Sequence, residues 1–248
     1  MRKHRIATIA VAVTAMTAAG VAYAAVRFEV IPNEFDPGRS SLVQGAWLGG
    51  IGCPTEQPAG QVFQPPTFET TAPESITDTA CPTGDPGDRR VEGLLLAKTG
   101  PTANNASAFA VVTNPPSTIT ELGWDIRKPG SPLLSGDPRG SHCGAGAPRW
   151  NITTSDGKLF FIGCNSPPAT TQTPGQAFIR MRWGAGTLAF PQAPSGVPTA
   201  LGSLDVRSLS IVFDEGTDTG PDNFGLAVLD NIDVNTVLVG EGPTDASG

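Results

Sequence analysis

Histidine and tyrosine are almost missing from this 248-residue sequence, which contains two histidines and one tyrosine. Because His4 and Tyr23 lie near the amino terminus, His142 is the only histidine in the body of the chain. It is accompanied by neither a G-x-S-x-G nor an H-E-x-x-H motif, and the adjacent Cys143 has candidate disulfide partners. We therefore interpret His142 as a loop residue and expect no catalysis through histidine.

Long apolar segments are also lacking, with one exception at the amino terminus. Ile6–Ala19 is apolar, follows the basic start Arg2–Arg5 and precedes the small residues of Ala22-Tyr23-Ala24. This order is typical of a secretory signal that is cleaved before Ala25. The run is too short to span a bilayer, so we expect a secreted, extracellular protein that does not span a membrane.

Charged side chains make up only 16% of the sequence, and basic ones are the rarer kind. Without residues 1–24 the number of basic side chains falls from 16 to 13 while all 23 acidic ones remain, so the net charge changes from −7 to −10. An acidic protein of this kind is a poor ligand for nucleic acids or anionic lipid surfaces. We expect an extracellular polymer or protein as its partner, and no nucleic acid.

What the sequence does contain is a two-residue alternation of apolar and polar side chains, interrupted by glycine, proline and asparagine. Leu122, Trp124 and Ile126, for example, alternate with polar or small residues. The pattern predicts an all-β protein: a single antiparallel β-sandwich of about ten strands over residues 25–240, with a flexible tail at 241–248. Long Pro/Gly-rich loops are expected at 53–90 and 184–202. Further strands are predicted at Ser41–Leu48, Val91–Lys98, Ala108–Thr113, Ser208–Phe213, Phe224–Val234 and Val237–Val239.

The clearest local prediction is a hairpin over residues 149–164. Asp156-Gly157 is typical of a two-residue turn, because both central positions of such a turn need positive φ. This turn sets a register that places Ile152 opposite Phe161 and Trp150 opposite Gly163.

Four cysteines in an exported chain indicate disulfides rather than metal thiolates, since none belongs to a C-x-x-C pair. Three pairings of Cys53, Cys81, Cys143 and Cys164 are possible. We expect the arrangement that joins nearest neighbours in the sequence, with the bridges Cys53–Cys81 and Cys143–Cys164. Each bridge should contribute about 3 kcal/mol to stability.

The best-patterned segment is Phe224–Val234, near the carboxyl terminus. Every second residue from Phe224 onward is apolar except Asp230, so the pattern predicts that Asp230 points inward with them. A buried carboxylate needs a partner. Backbone N–H groups of a neighbouring loop, an arginine and a calcium ion are three alternatives, and a β-bulge that turns Asp230 outward is a fourth. A structural calcium ion would take its other ligands from the acidic loop, at Asp214, Asp218 and Asp222.

Tryptophans are candidates for stacking on sugar rings, but the alternation places Trp124 and Trp183 on apolar strand faces, in the core. Trp47 and Trp150 remain as candidate binding residues, and Arg149 joins them because it adjoins Trp150.

Arg180 and Arg182 share a strand face that we expect to be solvated. Glycoside hydrolysis requires two carboxylates that face each other across a cleft, and the sequence does not indicate which of its carboxylates would form such a pair.

Phe213-Asp214-Glu215-Gly216 and Leu229-Asp230-Asn231-Ile232, within residues 208–240, form a pattern that resembles the last strands of jelly-roll and lectin-like β-sandwich domains in exported bacterial proteins. Carbohydrate-binding modules are among these domains. The resemblance implies a sandwich fold and makes glycan binding an expectation, without assigning a ligand-binding residue. The leading expectation is a secreted, non-catalytic binding or interaction module for a glycan or cell-envelope polymer. The alternatives are a carbohydrate-active hydrolase with paired carboxylates and an extracellular structural protein.

Overall fold

The computed structural model describes residues 28–53, 84–85, 87–88, 90–100, 102, 106–127, 147–163, 166, 170–171, 178–214 and 225–243. Within these ranges the regular structure is β-strand, apart from one 3-10 turn at Leu201–Ser203. The prediction of an all-β protein is therefore confirmed.

The strands form two antiparallel sheets. In spatial order the first sheet contains β1 (Val30–Phe35), β4 (Ser107–Val112), β12 (Val206–Phe213), β6 (Arg149–Thr154), β7 (Leu159–Gly163), β10 (Leu188–Pro191) and β11 (Thr199–Ala200). The second sheet contains β2 (Val43–Leu48), β3 (Gly93–Lys98), β13 (Gly225–Val234), β5 (Glu121–Arg127), β9 (Ile179–Gly184) and β8 (Thr170–Thr171), with β14 (Val237–Val239) beside the end of β13.

Four of the antiparallel strand pairs are nested in the chain. In sequence order, β6 and β7 are flanked by the paired strands β5 and β9. Those two are flanked by the pair β4 and β12, and the pair β3 and β13 is outermost. Successive pairs alternate between the two sheets. The chain therefore crosses from one sheet to the other repeatedly, and strands distant in sequence become neighbours.

The two sheets share one hydrophobic core, to which both contribute large side chains. Trp124 of the second sheet stacks on Trp150 of the first, with ring centroids 5.5 Å apart, and meets Trp183 edge-on at 4.9 Å. All three indoles are completely buried. Burial of about 200 Å² of each ring system contributes roughly 5 kcal/mol before entropy is subtracted. The predicted inward positions of Trp124 and Trp183 are confirmed.

The hairpin of β6 and β7 turns through three residues instead of the predicted two. Gly157 N donates to Thr154 O at 2.9 Å, and Gly157 has a φ of 83°. A turn that ends in one such left-handed residue is the common three-residue hairpin loop. The register consequently places Ile152 opposite Phe160, so the predicted pairing was wrong by one residue. Because a one-residue slip exchanges the two faces of a strand, Phe161 lies on the outer face.

A β-bulge interrupts β13, so the predicted alternation is wrong for the residues up to Asp230 and right from Ile232 onward. Leu229 faces the core before the bulge and Ile232 faces it afterwards. Between them β13 advances by three residues where β5 advances by two, and Asn231 has a φ of 45°. The extra residue turns Asp230 away from the core, so its predicted inward register was wrong and the bulge alternative is the one observed.

Gly242 lies against the second sheet. The flexible tail predicted at 241–248 stays a prediction. Gly242 N donates to Glu92 Oε2 at 2.7 Å, and a Cβ at Gly242 would come within 3.0 Å of the Trp47 ring. Residues 244–248 are outside the described residues.

Candidate functional site

The outer face of the first sheet carries a row of side chains that runs straight across six strands, each member being the register partner of the next. Five steps of about 4.8 Å between neighbouring strands give the row a length of about 24 Å. This outer row consists of Ile31, Val111, Ser210, Asn151, Phe161 and Phe190, in order from β1 to β10.

The outer row is apolar at both ends and polar in the middle. Ile31 and Val111 are each 38% exposed, and Phe190 is 50% exposed at the other end. The half-buried Ser210 and Asn151 separate the two apolar ends. A continuous surface that combines exposed apolar groups with hydrogen-bonding groups is typical of an interaction site.

Two phenylalanines lie side by side at one end of the row, and we call them the aromatic end. Phe161 on β7 is the register partner of Phe190 on β10. The alternation along β10 turns Leu188 and Phe190 outward and leaves Ala189 completely buried. Aromatic rings at paired positions of neighbouring strands offer apolar surface on which a planar or ring-shaped ligand can stack.

Arg149 lies beside the aromatic end, with its guanidinium carbon 5.3 Å from the centre of the Phe161 ring. Its two terminal nitrogens donate to the two carboxylate oxygens of Asp214, both at 2.6 Å. The side chains of Arg149 and Asp214 are 20% and 26% exposed, so the pair lies at the surface. The bidentate geometry and the cation–π contact together hold the guanidinium in place.

Neither predicted tryptophan belongs to the outer row. Trp150 is completely buried against Trp124 and therefore presents no ring face to a ligand. Trp47 is half-buried between β1 and β2, where its Nε1 donates to the carbonyl oxygen of Val30 at 2.8 Å. Successive strand residues point to opposite faces, so Arg149 is on the outer face because Trp150 is in the core.

The aromatic rings that do lie on the outer face were missed by the sequence analysis. Phe161 was placed opposite Ile152 by the two-residue turn, and Phe190 lies in a segment that was predicted to be a loop. The short apolar run Leu188-Ala189-Phe190 was the signal available in the sequence for this strand.

A second group of polar residues, the buried polar cluster, lies at the β-bulge on the outer side of the second sheet. Asp230 accepts hydrogen bonds from Cys53 N and Asn231 N, both at 2.5 Å. Asn231 Nδ2 donates to Asp125 Oδ2 at 2.8 Å, and Asn231 Oδ1 accepts from Asp85 N at 2.9 Å. All five residues are at most 2% exposed. Of the alternatives for Asp230, backbone N–H donors are therefore among its observed partners.

Two arginines join this cluster, and the prediction that they lie on a solvated face was wrong. Arg180 donates from Nε and from a terminal nitrogen to the two oxygens of Asp125, both at 2.9 Å. Arg182 is 8% exposed, and its Nε lies 2.8 Å from Asp233 Oδ2. The ion pair between Arg182 and Asp233 requires glycine at position 123, because a Cβ there would collide with the Arg182 side chain.

Burial raises the pKa of several acids in and around the buried polar cluster. The pKa of Asp230 lies well above its ordinary value, because desolvation outweighs the two backbone N–H donors. Desolvation also raises the pKa of Asp88 to about 6. It raises that of Asp233 to about 6 as well, although the positive charge of Arg182 acts in the opposite direction.

The structure describes two of the four predicted calcium ligands, and they belong to different sheets. Asp214 follows β12, and both its oxygens accept hydrogen bonds from Arg149. Asp230 lies in β13, where it accepts backbone N–H groups. Within the described ranges no group of three or more histidine, cysteine or acidic residues has the geometry of a metal site. Asp218 and Asp222 lie outside those ranges, so calcium binding by the acidic loop stays a prediction.

The cysteine pairing also stays a prediction. Cys53 is completely buried at the buried polar cluster. Cys81, Cys143 and Cys164 lie outside the described residues.

Two acidic residues on neighbouring strands, Asp125 and Asp230, bear on the hydrolase alternative. They are register partners, but both are completely buried. Asp125 is held by Arg180 and Asp230 by backbone N–H groups. Glycoside hydrolysis requires carboxylates that face a substrate cleft, so this pair does not provide the arrangement.

Searches of protein-family models, of curated proteins and of solved structures found no match to this chain. In the part of the chain that the structure describes, there is no helix of the length and apolarity that crossing a bilayer requires.

Proposed function

We propose that this protein is a secreted, non-catalytic binding module of the jelly-roll type, and that its outer row binds a glycan or cell-envelope polymer. The observation that carries the proposal is the outer row itself, with the exposed Phe190 ring and the half-buried Phe161 ring at one end and hydrogen-bonding side chains in the middle.

The jelly-roll assignment is supported by the nested strand pairs. A jelly roll is a two-sheet arrangement of eight strands in which Greek-key connections join the sheets. The pairs β3–β13, β4–β12, β5–β9 and β6–β7 enclose one another and alternate between the sheets, as they do when one long antiparallel hairpin wraps around itself. Secretion is supported by the signal-like pattern of residues 1–24.

A polymer fits the shape of this surface better than a small molecule does. Small molecules bind in concave pockets that remove most of their surface from water. The outer row is instead an open strip about 24 Å long on the face of a sheet, so its contacts are spread along a line. An extended chain of ring-shaped units can touch both the aromatic end and the polar middle, where the half-buried Ser210 hydroxyl offers a donor and an acceptor to hydroxyl groups.

The test is retention of the secreted chain on insoluble polysaccharides, compared with a variant that carries both Phe161→Ala and Phe190→Ala. We expect the natural chain to be retained on at least one polymer and the double variant to lose most of that retention. The matched control is Leu48→Ala, because Leu48 is 41% exposed but lies in the second sheet. Failure of the natural chain to bind any polymer, or equal loss in the control, would contradict the proposal.

A further inference from the structure

We propose that the outer row takes an uncharged polysaccharide, and that Asp214 is the residue that excludes acidic polymers. This inference rests on the proposed binding function and names the class of its ligand. None of the six side chains of the outer row carries a charge, although the chain has 39 charged residues.

On one side of the outer row, the adjacent row consists of Asn33, Phe109, Val212, Arg149 and Gly163, and Arg149 is its charged member. An arginine beside an aromatic ring is ordinarily suited to the carboxylate or sulfate groups of an acidic polymer. In this protein both terminal nitrogens of Arg149 already donate to Asp214. An acidic ligand would have to displace a bidentate carboxylate that is part of the protein.

The ion pair of Arg149 with Asp214 removes the net positive charge that Arg149 would otherwise present to a polymer. Arg149 and Asp214 together carry no net charge, while the guanidinium remains over the Phe161 ring. The excess of acidic residues in the rest of the chain repels polyanions at long range. A neutral polymer meets neither obstacle, because its affinity comes from ring stacking and from hydroxyl hydrogen bonds.

The experiment compares matched neutral and acidic polymers in affinity gels. Hydroxyethyl cellulose, dextran and soluble starch are each paired with their carboxymethylated derivative. We expect the natural chain to be retarded by at least one neutral polymer, to be retarded less by its derivative, and to show retardation that is unchanged between about 0.05 and 0.5 M salt. Tighter binding to the derivative, lost at high salt and lost in the Phe161→Ala, Phe190→Ala variant, would overturn this inference while leaving the proposed binding face in place. Binding to no polymer would overturn the binding function and the inference with it.

A gain-of-function variant tests the role of Asp214 separately. Asp214→Asn leaves Arg149 without its carboxylate, so binding to the carboxymethylated polymer should increase at least several-fold at low salt. Asp156→Asn is the matched control, because it removes the same charge from the exposed hairpin turn. Equal gains in the two variants would show that net charge alone is responsible and would overturn the assignment. If Asp214→Asn does not fold, as judged by its melting temperature, Asp214→Ser takes its place with the same expected result.

Discussion

Replacement of Asp125 by alanine should destabilise the protein strongly, although the residue is far from the proposed binding face. Asp125 is completely buried, accepts two hydrogen bonds from Arg180 and one from Asn231, and lies 3.5 Å from a terminal nitrogen of Arg182. Breaking a buried ion pair by removing one partner typically lowers the free energy of unfolding by about 3–5 kcal/mol, because the other charge is left uncompensated.

The surroundings of Arg180 and Asn231 narrow the expected loss in the free energy of unfolding. The Arg180 side chain is 17% exposed, so water can partly solvate its guanidinium after the substitution, which lowers the cost of the lost ion pair. Asn231 is completely buried, and its side-chain N–H would lose an acceptor at a cost of about 1–3 kcal/mol. We therefore expect Asp125→Ala to lower the free energy of unfolding by about 3–4 kcal/mol.

The assay is urea unfolding followed by tryptophan fluorescence, which reports on the three buried indoles of the core. Lys158→Ala is the control, because it breaks an ion pair with Asp156 whose side chains are 70% and 56% exposed, and water and salt screen such pairs. A double variant, Asp125→Leu with Arg180→Met, should recover much of the loss by removing both charges together. A loss below about 1 kcal/mol in Asp125→Ala, or one no larger than in the control, would refute the reasoning.

Three further predictions concern the core, the hairpin turn and the titrating acids. Trp150→Ala should lower the free energy of unfolding by about 3–5 kcal/mol in urea unfolding, since the ring is completely buried; a change below about 1 kcal/mol would place it at the surface. Gly157→Ala should destabilise by about 1–2 kcal/mol because its φ is 83°, whereas Gly184→Ala, with open space and no positive φ, should be nearly neutral in the same assay. Asp88 and Asp233 have a pKa of about 6 in the folded protein against an ordinary 3.8, so the folded state holds their protons more tightly. Stability should fall as pH rises from about 4 to about 7, and a melting temperature that rises over this interval would contradict the assignment.

The sequence predicted the strands well where one face is apolar and the other is polar. Leu122, Trp124 and Ile126 lie inward in β5, as their alternation indicates. The turn between the predicted strands Phe224–Val234 and Val237–Val239 also lies in the gap that their bounds leave, at Asn235-Thr236, with φ values of 55° and 69°. These features depend on neighbours a few residues apart, so a local pattern is enough to predict them.

The short strands and the bulge were harder to predict, because their stability comes from the strands beside them. β10 has four residues and forms against β7, while β11 has two and forms against β10. At Asp230 the alternation continues unbroken in the sequence, but in the structure Ala227 and Leu229 face the core before the bulge and Ile232 and Val234 face it afterwards. Nothing in a single strand's pattern indicates where its partner requires an extra residue.

In the candidate site, too, some features follow from the local sequence and others depend on neighbouring strands. The sequence analysis named Arg149 only because it adjoins Trp150, and the structure places the arginine at the surface because the tryptophan is in the core. Whether a ring would lie beside Arg149 depended on the register of a hairpin, and a one-residue difference exchanged Phe160 and Phe161 between core and surface. The pairing of Phe161 with Phe190 depended on contact between strands separated by a long stretch of chain.

By itself, the sequence determined that this chain forms β-strands, which of their residues are apolar, and that acidic side chains outnumber basic ones. The tertiary structure decided that Trp150 is buried, that Asp230 meets backbone N–H groups, and that six residues from six strands align in one row. The physical reason is that side-chain alternation is a property of one strand, whereas register and burial are properties of the strands packed around it.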